Sequence, residues 1–325
     1  MGRASEQGNG VARTRAPRSR ESRYLKLSDL RRLEHLLFAP RRFVEGRYAG
    51  QYATRQRGQS VEFYDYRQYM AGDDVGHIDW KLFGRSDRLY IKLFEHQSEL
   101  TVHLLVDASA SMDYHGEPRT VPRAKRTSKY DYACSLAASI AFLILKQHDR
   151  FGFAFAREGL HQPLPAEGSM RHLSRILIQM EQAKPLGPAS LADAIATQTQ
   201  STARRTLLVI FSDLWDDADA TAAALAARAT TGGESIIFHV LHPHEINLPD
   251  FEHGLFIDSE TQARVRLNVH DLRETYQARM REHLDTWARR CRSLGVDYVR
   301  SQMSQPYYQV LEQYVAARAS RKLRV

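Results

Sequence analysis

Cysteine is nearly absent from this chain of 325 residues: Cys134 and Cys291 are the only two, far apart and outside any C-x-x-C pair. That excludes a disulfide framework and a cysteine-rich zinc module, and it fits a reducing compartment. Long apolar runs are also missing. No segment reaches the ~18 to 20 apolar residues that cross a bilayer. The longest candidate, Leu136 to Leu145, is short and interrupted by Ser139, so it reads as a buried helix. The first residues are basic with no apolar stretch behind them, so no secretory signal is read and the expected location is the cytoplasm. A G-x-S-x-G elbow, an H-E-x-x-H pair and a Walker-type phosphate loop are absent too, which removes three common routes to hydrolysis.

The net charge of +8 is unevenly placed. Residues 1–56 hold 13 Lys and Arg against 5 Asp and Glu, and the remainder holds 33 of each sign. The basic excess therefore belongs to an N-terminal arm, which suits a solvated leader better than a nucleic-acid contact, because no aromatic or glycine-rich binding pattern accompanies it. Composition divides the chain into three stretches. Residues 1–23, rich in Arg, Gly and Ser, read as a disordered leader. Residues 24–99 begin with a short amphipathic helix (Leu27, Leu30, Leu33, Leu37) and continue as an aromatic, charged, β-rich accessory segment in which "MAGDD" and "GRSD" read as turns. Residues 100–325 alternate apolar strands ("VHLLVD", "RFGFAFA", "TLLVIFSDL", "SIIFHVLH", "VDYVRSQ") with helical periodicity. The helix after Ser128 opens on an S-x-x-D capping pattern, and further helices are read at 170–182, 191–202, 271–294 and from Pro306. That alternation predicts an α/β fold: a mostly parallel, Rossmann-like sheet with helices on both faces.

In such sheets ligands bind beyond the carboxyl ends of the strands. Three oxygen-bearing segments fall there: Asp107, Ser109 and Ser111 in "VDASAS", Ser190 in "GPASLADAI", and Asp213 in "VIFSDL". Each alone is an ordinary turn or cap sequence. In this order they resemble the metal-ion-dependent adhesion site of von Willebrand factor A domains. The resemblance implies that Ser109, Ser111 and Ser190 supply hydroxyl oxygens to Mg²⁺ or another divalent cation such as Mn²⁺ or Ca²⁺, while Asp107 and Asp213 ligate or orient bound water. Ser190 stands where that family usually has Thr.

Upstream, "EFYDYRQYMAGDDVGHIDWKLFGRSDRLYIKLFEHQ" is similar to the signature of the bacterial domain-of-unknown-function family 58. Phe63, Arg67, Tyr69, Gly72, Asp73, Ile78, Asp79 and Trp80 fit that signature; His77 and Gly84 stand where Arg and Ala are more usual. The likeness extends over roughly Gly46 to Arg318, through "FIDSET" and "YYQVLEQYVAAR". It implies a von Willebrand A-like domain, partnership with a MoxR-type AAA+ ATPase, and chaperone-like or assembly work; an open coordination position on the ion would in turn favour a client protein that presents an acidic residue.

The residues admit three other chemistries. A Mg²⁺-dependent phosphohydrolase would use Asp107 as nucleophile, but such enzymes place a second Asp two residues on, where this chain has Ser109. His239, His242, His244 and Glu245 are zinc-ligand types, yet Pro243 between them scatters their directions. Asp73, Asp74 and Asp79, near Arg67, Arg85 and Trp80, offer a second site, but buried charge pairs fastening the accessory segment to the α/β body are the favoured reading. The expectation is a non-enzymatic, metal-dependent recognition module, with Phe63, Arg67, Tyr69, Asp73, Asp79 and Trp80 as a further interaction or structural signature.

Overall fold

The computed structural model describes residues 22–38, 62–69, 78–86, 88–95, 100–116, 126–202, 205–249, 253–257, 259 and 263–322. Most of the basic leader therefore lies outside the described residues, as do Gly72, Asp73, Asp74 and His77 and the boundary expected at residue 99.

The accessory segment holds helix α1 (Leu27–Leu33), strand β1 (Glu62–Gln68), helix α2 (Trp80–Ser86) and strand β2 (Tyr90–Glu95). Helix α1 is shorter than its leucine spacing predicts, and Lys26 at its start gives it no side-chain cap. Strands β1 and β2 pair antiparallel. Residues 80–86, whose "GRSD" end reads as a turn, are helical for a local reason. Buried Asp79 presents Oδ1 to the backbone N–H groups of Lys81 and Leu82, the capping arrangement that satisfies a helix's first donors.

From Thr101 onward the elements alternate as expected: β3 (Thr101–Asp107), α3 (Lys129–Lys146), β4 (Arg150–Arg157), β5 (Gly159–Glu167), α4 (Met170–Gln182), α5 (Leu191–Ser201), β6 (Leu207–Ser212), α6 (Ala218–Thr230), β7 (Glu234–Leu241), α7 (Pro243–Ile246), β8 (His253–Ile257), β9 (Arg264–Asn268), α8 (Val269–Ser293), β10 (Asp297–Gln302) and α9 (Tyr307–Lys322). One six-stranded sheet runs β10-β7-β6-β3-β4-β5, parallel throughout except for β5, which returns antiparallel along β4 at the edge. Strands β8 and β9 pair antiparallel as a separate two-stranded sheet, in a stretch to which the sequence assigns no element.

The period of two along each strand divides the core into two layers. On one face, Val102, Leu104 and Val106 of β3 and Leu207, Val209 and Phe211 of β6 pack with Leu33, Leu136, Leu173 and Leu311, so α1, α3, α4 and α9 cover it. On the other, Leu105, Leu208 and Ile210 pack with Leu191, Ile195, Leu225 and Trp287 of α5, α6 and α8. Both faces being covered explains why these strands are continuously apolar. Cys134 and Cys291 lie buried, one in each layer, as packing residues.

The strand order also locates a crevice. From β3 the chain crosses by α3 to β4 on one side; from β6 it crosses by α6 to β7 on the other. Strands β3 and β6 are hydrogen-bonded neighbours whose connections leave in opposite directions, so their carboxyl ends flank the topological switch point. Asp107 is the last residue of β3, and Asp213 follows the last residue of β6.

Candidate metal centre at the sheet switch point

Asp107 is buried, and the fold engages both of its carboxylate oxygens. Oδ1 accepts the backbone N–H of Ser109 at 2.9 Å, and Oδ2 accepts the Ser212 hydroxyl at 2.6 Å. Ser212 Oγ in turn accepts the N–H of Leu214 at 3.0 Å. Leu214 sits at φ +55°, a strained setting for a branched residue that holds the turn carrying Asp213. Burial, then the nearby Asp213 carboxylate, pushes the Asp107 pKa up to about 6, against the opposing donors Ser212 and Ser109.

Above Asp107, the Ser109 and Ser111 hydroxyls are hydrogen-bonded to each other at 2.9 Å. For metal–oxygen bonds of about 2.1 Å, neighbouring vertices of an octahedron are roughly 3.0 Å apart, so two hydroxyls at this spacing match one edge of a Mg²⁺ coordination shell. The donors are hard oxygens, as such an ion requires. Among the described residues no three His, Cys, Asp or Glu side chains converge to hold a metal, so an ion here depends on the serine hydroxyls.

Ser190 is placed differently. Its loop is tied to the Asp107 turn by two backbone bonds, Leu186 N–H to Ala108 C=O (3.0 Å) and Ala110 N–H to Gly187 C=O (2.8 Å). Yet its hydroxyl caps α5, accepting the Asp193 N–H at 3.4 Å, and donates to Asp193 Oδ2 at 2.6 Å. The structure thus brings Asp107, Ser109, Ser111 and Asp213 into one cluster and gives Ser190 a competing local partner.

Asp213 has a partner that the sequence reading missed. Lys129, the first residue of α3 and fully buried, donates from Nζ to Asp213 Oδ2 at 2.6 Å and also to Glu245 Oε1. Burial lowers the Lys129 pKa, but the two carboxylates outweigh it and the net shift is upward. Glu245 moves upward as well, because burial outweighs its share of one ammonium. The available signal was a lysine at the first position of an apolar helix, where the helix dipole disfavours positive charge.

The histidines beside this cluster do not form a zinc centre. Both nitrogens of buried His239 are engaged, Nδ1 with the Tyr298 hydroxyl (2.7 Å) and Nε2 with the Asp213 carbonyl (2.8 Å). His242 Nδ1 accepts the His244 N–H at the start of α7. Glu245 is taken by Lys129.

Each of the three site loops also exposes one large apolar side chain: Tyr114 after Ser111, Leu186 before Ser190, and Trp215 after Asp213. In the accessory segment Phe63 and Arg67 lie on β1, Tyr69 follows it, and Trp80 is 62% exposed beside buried Asp79. No helix among the described residues is long and apolar enough to cross a membrane.

Comparison with known proteins places the chain in a family. The uncharacterized protein Rv1480 of Mycobacterium tuberculosis is 27% identical over 258 residues, covering 78% of each chain, and the uncharacterized protein Mb1516 of Mycobacterium bovis matches to the same extent. Among solved structures, an aerotolerance-related membrane protein from Bacteroides fragilis is 14% identical with a TM-score of 0.44, over 67% of this chain and 99% of that one. A von Willebrand factor type A protein from Catenulispora acidiphila is 13% identical with a TM-score of 0.32, over 47% of this chain and 35% of that one. The family model described as "Protein of unknown function DUF58" matches residues 65–286, and the chain belongs to that family.

Proposed function

We propose that this protein is a non-enzymatic recognition module whose switch-point site holds Mg²⁺, or a similar divalent cation, and uses it to capture a carboxylate of a partner protein. The observation that carries this reading is the pair of serine hydroxyls 2.9 Å apart above buried Asp107, in a cluster with a surplus of negative charge. Asp107, Asp213 and Glu245 bring three carboxylates, and Lys129 brings one ammonium. Fully ionised, the cluster lacks two positive charges, which is the charge of one divalent ion. Ser109 and Ser111 would hold the ion, with Asp107 and Asp213 behind it. Bound there, Mg²⁺ supplies a Lewis-acidic centre that keeps exchangeable positions for a further oxygen ligand. The exposed Tyr114, Leu186 and Trp215 around the site suit a protein surface better than a small anion.

Binding is favoured over phosphohydrolysis by the state of Asp107. Both its oxygens are committed to holding the turn, the disposition of a positioning group rather than of a nucleophile. The family resemblance supports a MoxR-type AAA+ ATPase as partner, and the ion's exchangeable positions suit a client that presents an acidic residue. The test is affinity capture from native cell extract, in Mg²⁺ and in EDTA, with wild type and Asp107→Ala. A MoxR-type ATPase should be retained by wild type in Mg²⁺ alone. Identical partners under all four conditions would contradict metal-bridged recognition.

A further inference from the structure

Lys129 is fully buried and lies at the switch point, where its one ammonium is shared between two carboxylates. A fully buried ammonium needs compensating charge, and this one takes it from both Asp213 and Glu245. Asp213 is also the carboxylate that a divalent ion would draw upon. Its Oδ2 receives the ammonium at 2.6 Å, so Lys129 and an incoming ion address the same group.

We propose that Lys129 is a built-in counter-cation of the site: it neutralises Asp213 when no divalent ion is bound, competes with that ion for Asp213, and yields toward Glu245 when the ion wins. The inference rests on the metal-binding reading above and adds how that site is held weak and reversible. Glu245 is the second berth that makes the exchange possible, since an ammonium released from Asp213 stays paired and never faces the interior alone. Glu245 is also linked outward. Its Oε2 accepts the His242 N–H within the cap of α7, and its backbone carbonyl accepts the Tyr276 hydroxyl from α8 at 2.7 Å. Occupancy at the switch point is thereby tied to α7 and α8.

The test is calorimetric titration with Mn²⁺ of the full chain and two variants. Lys129→Met removes the competitor at similar volume, and Mn²⁺ should bind at least tenfold tighter than to wild type. Glu245→Gln removes the second berth and leaves Lys129 on Asp213 alone, so binding should weaken at least threefold. A Lys129 that only props the site gives the opposite sign: equal or weaker binding in Lys129→Met overturns the proposal. Should Lys129→Met fail to fold, as judged by circular dichroism, Glu245→Gln decides, and equal or tighter binding there overturns it. If neither wild type nor Lys129→Met binds Mn²⁺ at millimolar concentration, the metal reading itself fails and this inference falls with it. That outcome is distinct from the other two.

Discussion

Ser109 and Ser111 are ordinary turn residues in type, and what lies beneath them makes them candidates for chemistry. Asp107 was legible as a carboxylate ending an apolar strand, and the two hydroxyls follow it locally, so a short motif contained that part of the site. Lys129 and Glu245 were not legible as members, because their contacts join residues 84 and 116 positions apart. Ser190 shows the reverse: its loop reaches the site, while its hydroxyl answers to Asp193 three residues away. His103 carries a consequence of its own. It lies in β3, buried, with its ring against Gly152, where any added Cβ would meet Nδ1 at 2.8 Å. Burial, then the Arg228 charge, lowers its pKa to about 4 from 6.5. The unfolded chain therefore binds the proton first as pH falls. The stabilisation is complete above 6.5 and is lost on descent toward 4. Between pH 7 and pH 5 this group should cost about 2 kcal/mol of stability. His239 and His172 are shifted downward too, so His103→Gln should remove part of the pH slope in urea midpoints and leave the rest. An unchanged slope in that variant would contradict the assignment.

At the scale of the element, periodicity carried most of the reading, and its misses have physical causes. Strands β3, β6 and β7 are buried on both faces and announce themselves as apolar runs. Strand β5 escaped because Pro163 and Pro165 interrupt "GLHQPLPAE"; an edge strand tolerates proline where a central one does not. Helix α2 escaped because its seven residues include Gly84 and end in the turn-type "GRSD", and it rests on the Asp79 cap. The S-x-x-D pattern before α3 is realised as a reciprocal box: Ser128 Oγ accepts the Asp131 N–H at 3.2 Å, and Asp131 Oδ2 accepts the Ser128 N–H at 3.1 Å. Because Lys129 is the next residue, this cap sets both the start of the helix and the place of the ammonium. Ser128→Ala should lower stability by about 1 kcal/mol, read as a shifted denaturation midpoint at constant slope. A change below the precision of the midpoint would show that packing of Leu136, Ile140 and Leu143 alone holds the helix.

For the whole molecule, alternation of strands and helices predicted a mostly parallel sheet covered on both faces, and the six-stranded order with its single antiparallel edge is that architecture. Sequence could not supply the strand order, which depends on which strands find each other across long stretches of chain, as when Val102 of β3 registers with Leu207 of β6. The order is what brings the ends of β3 and β6 side by side and turns three weak local patterns into one cluster. The central claim is that this cluster binds a divalent cation through the serine hydroxyls. The most direct measurement is a Mg²⁺ titration by calorimetry on wild type and on Ser109→Ala/Ser111→Ala. The account expects one ion per wild-type chain and at least tenfold weaker binding by the double variant, with the fold kept. Equal binding by both, or none by wild type at millimolar Mg²⁺, would contradict it.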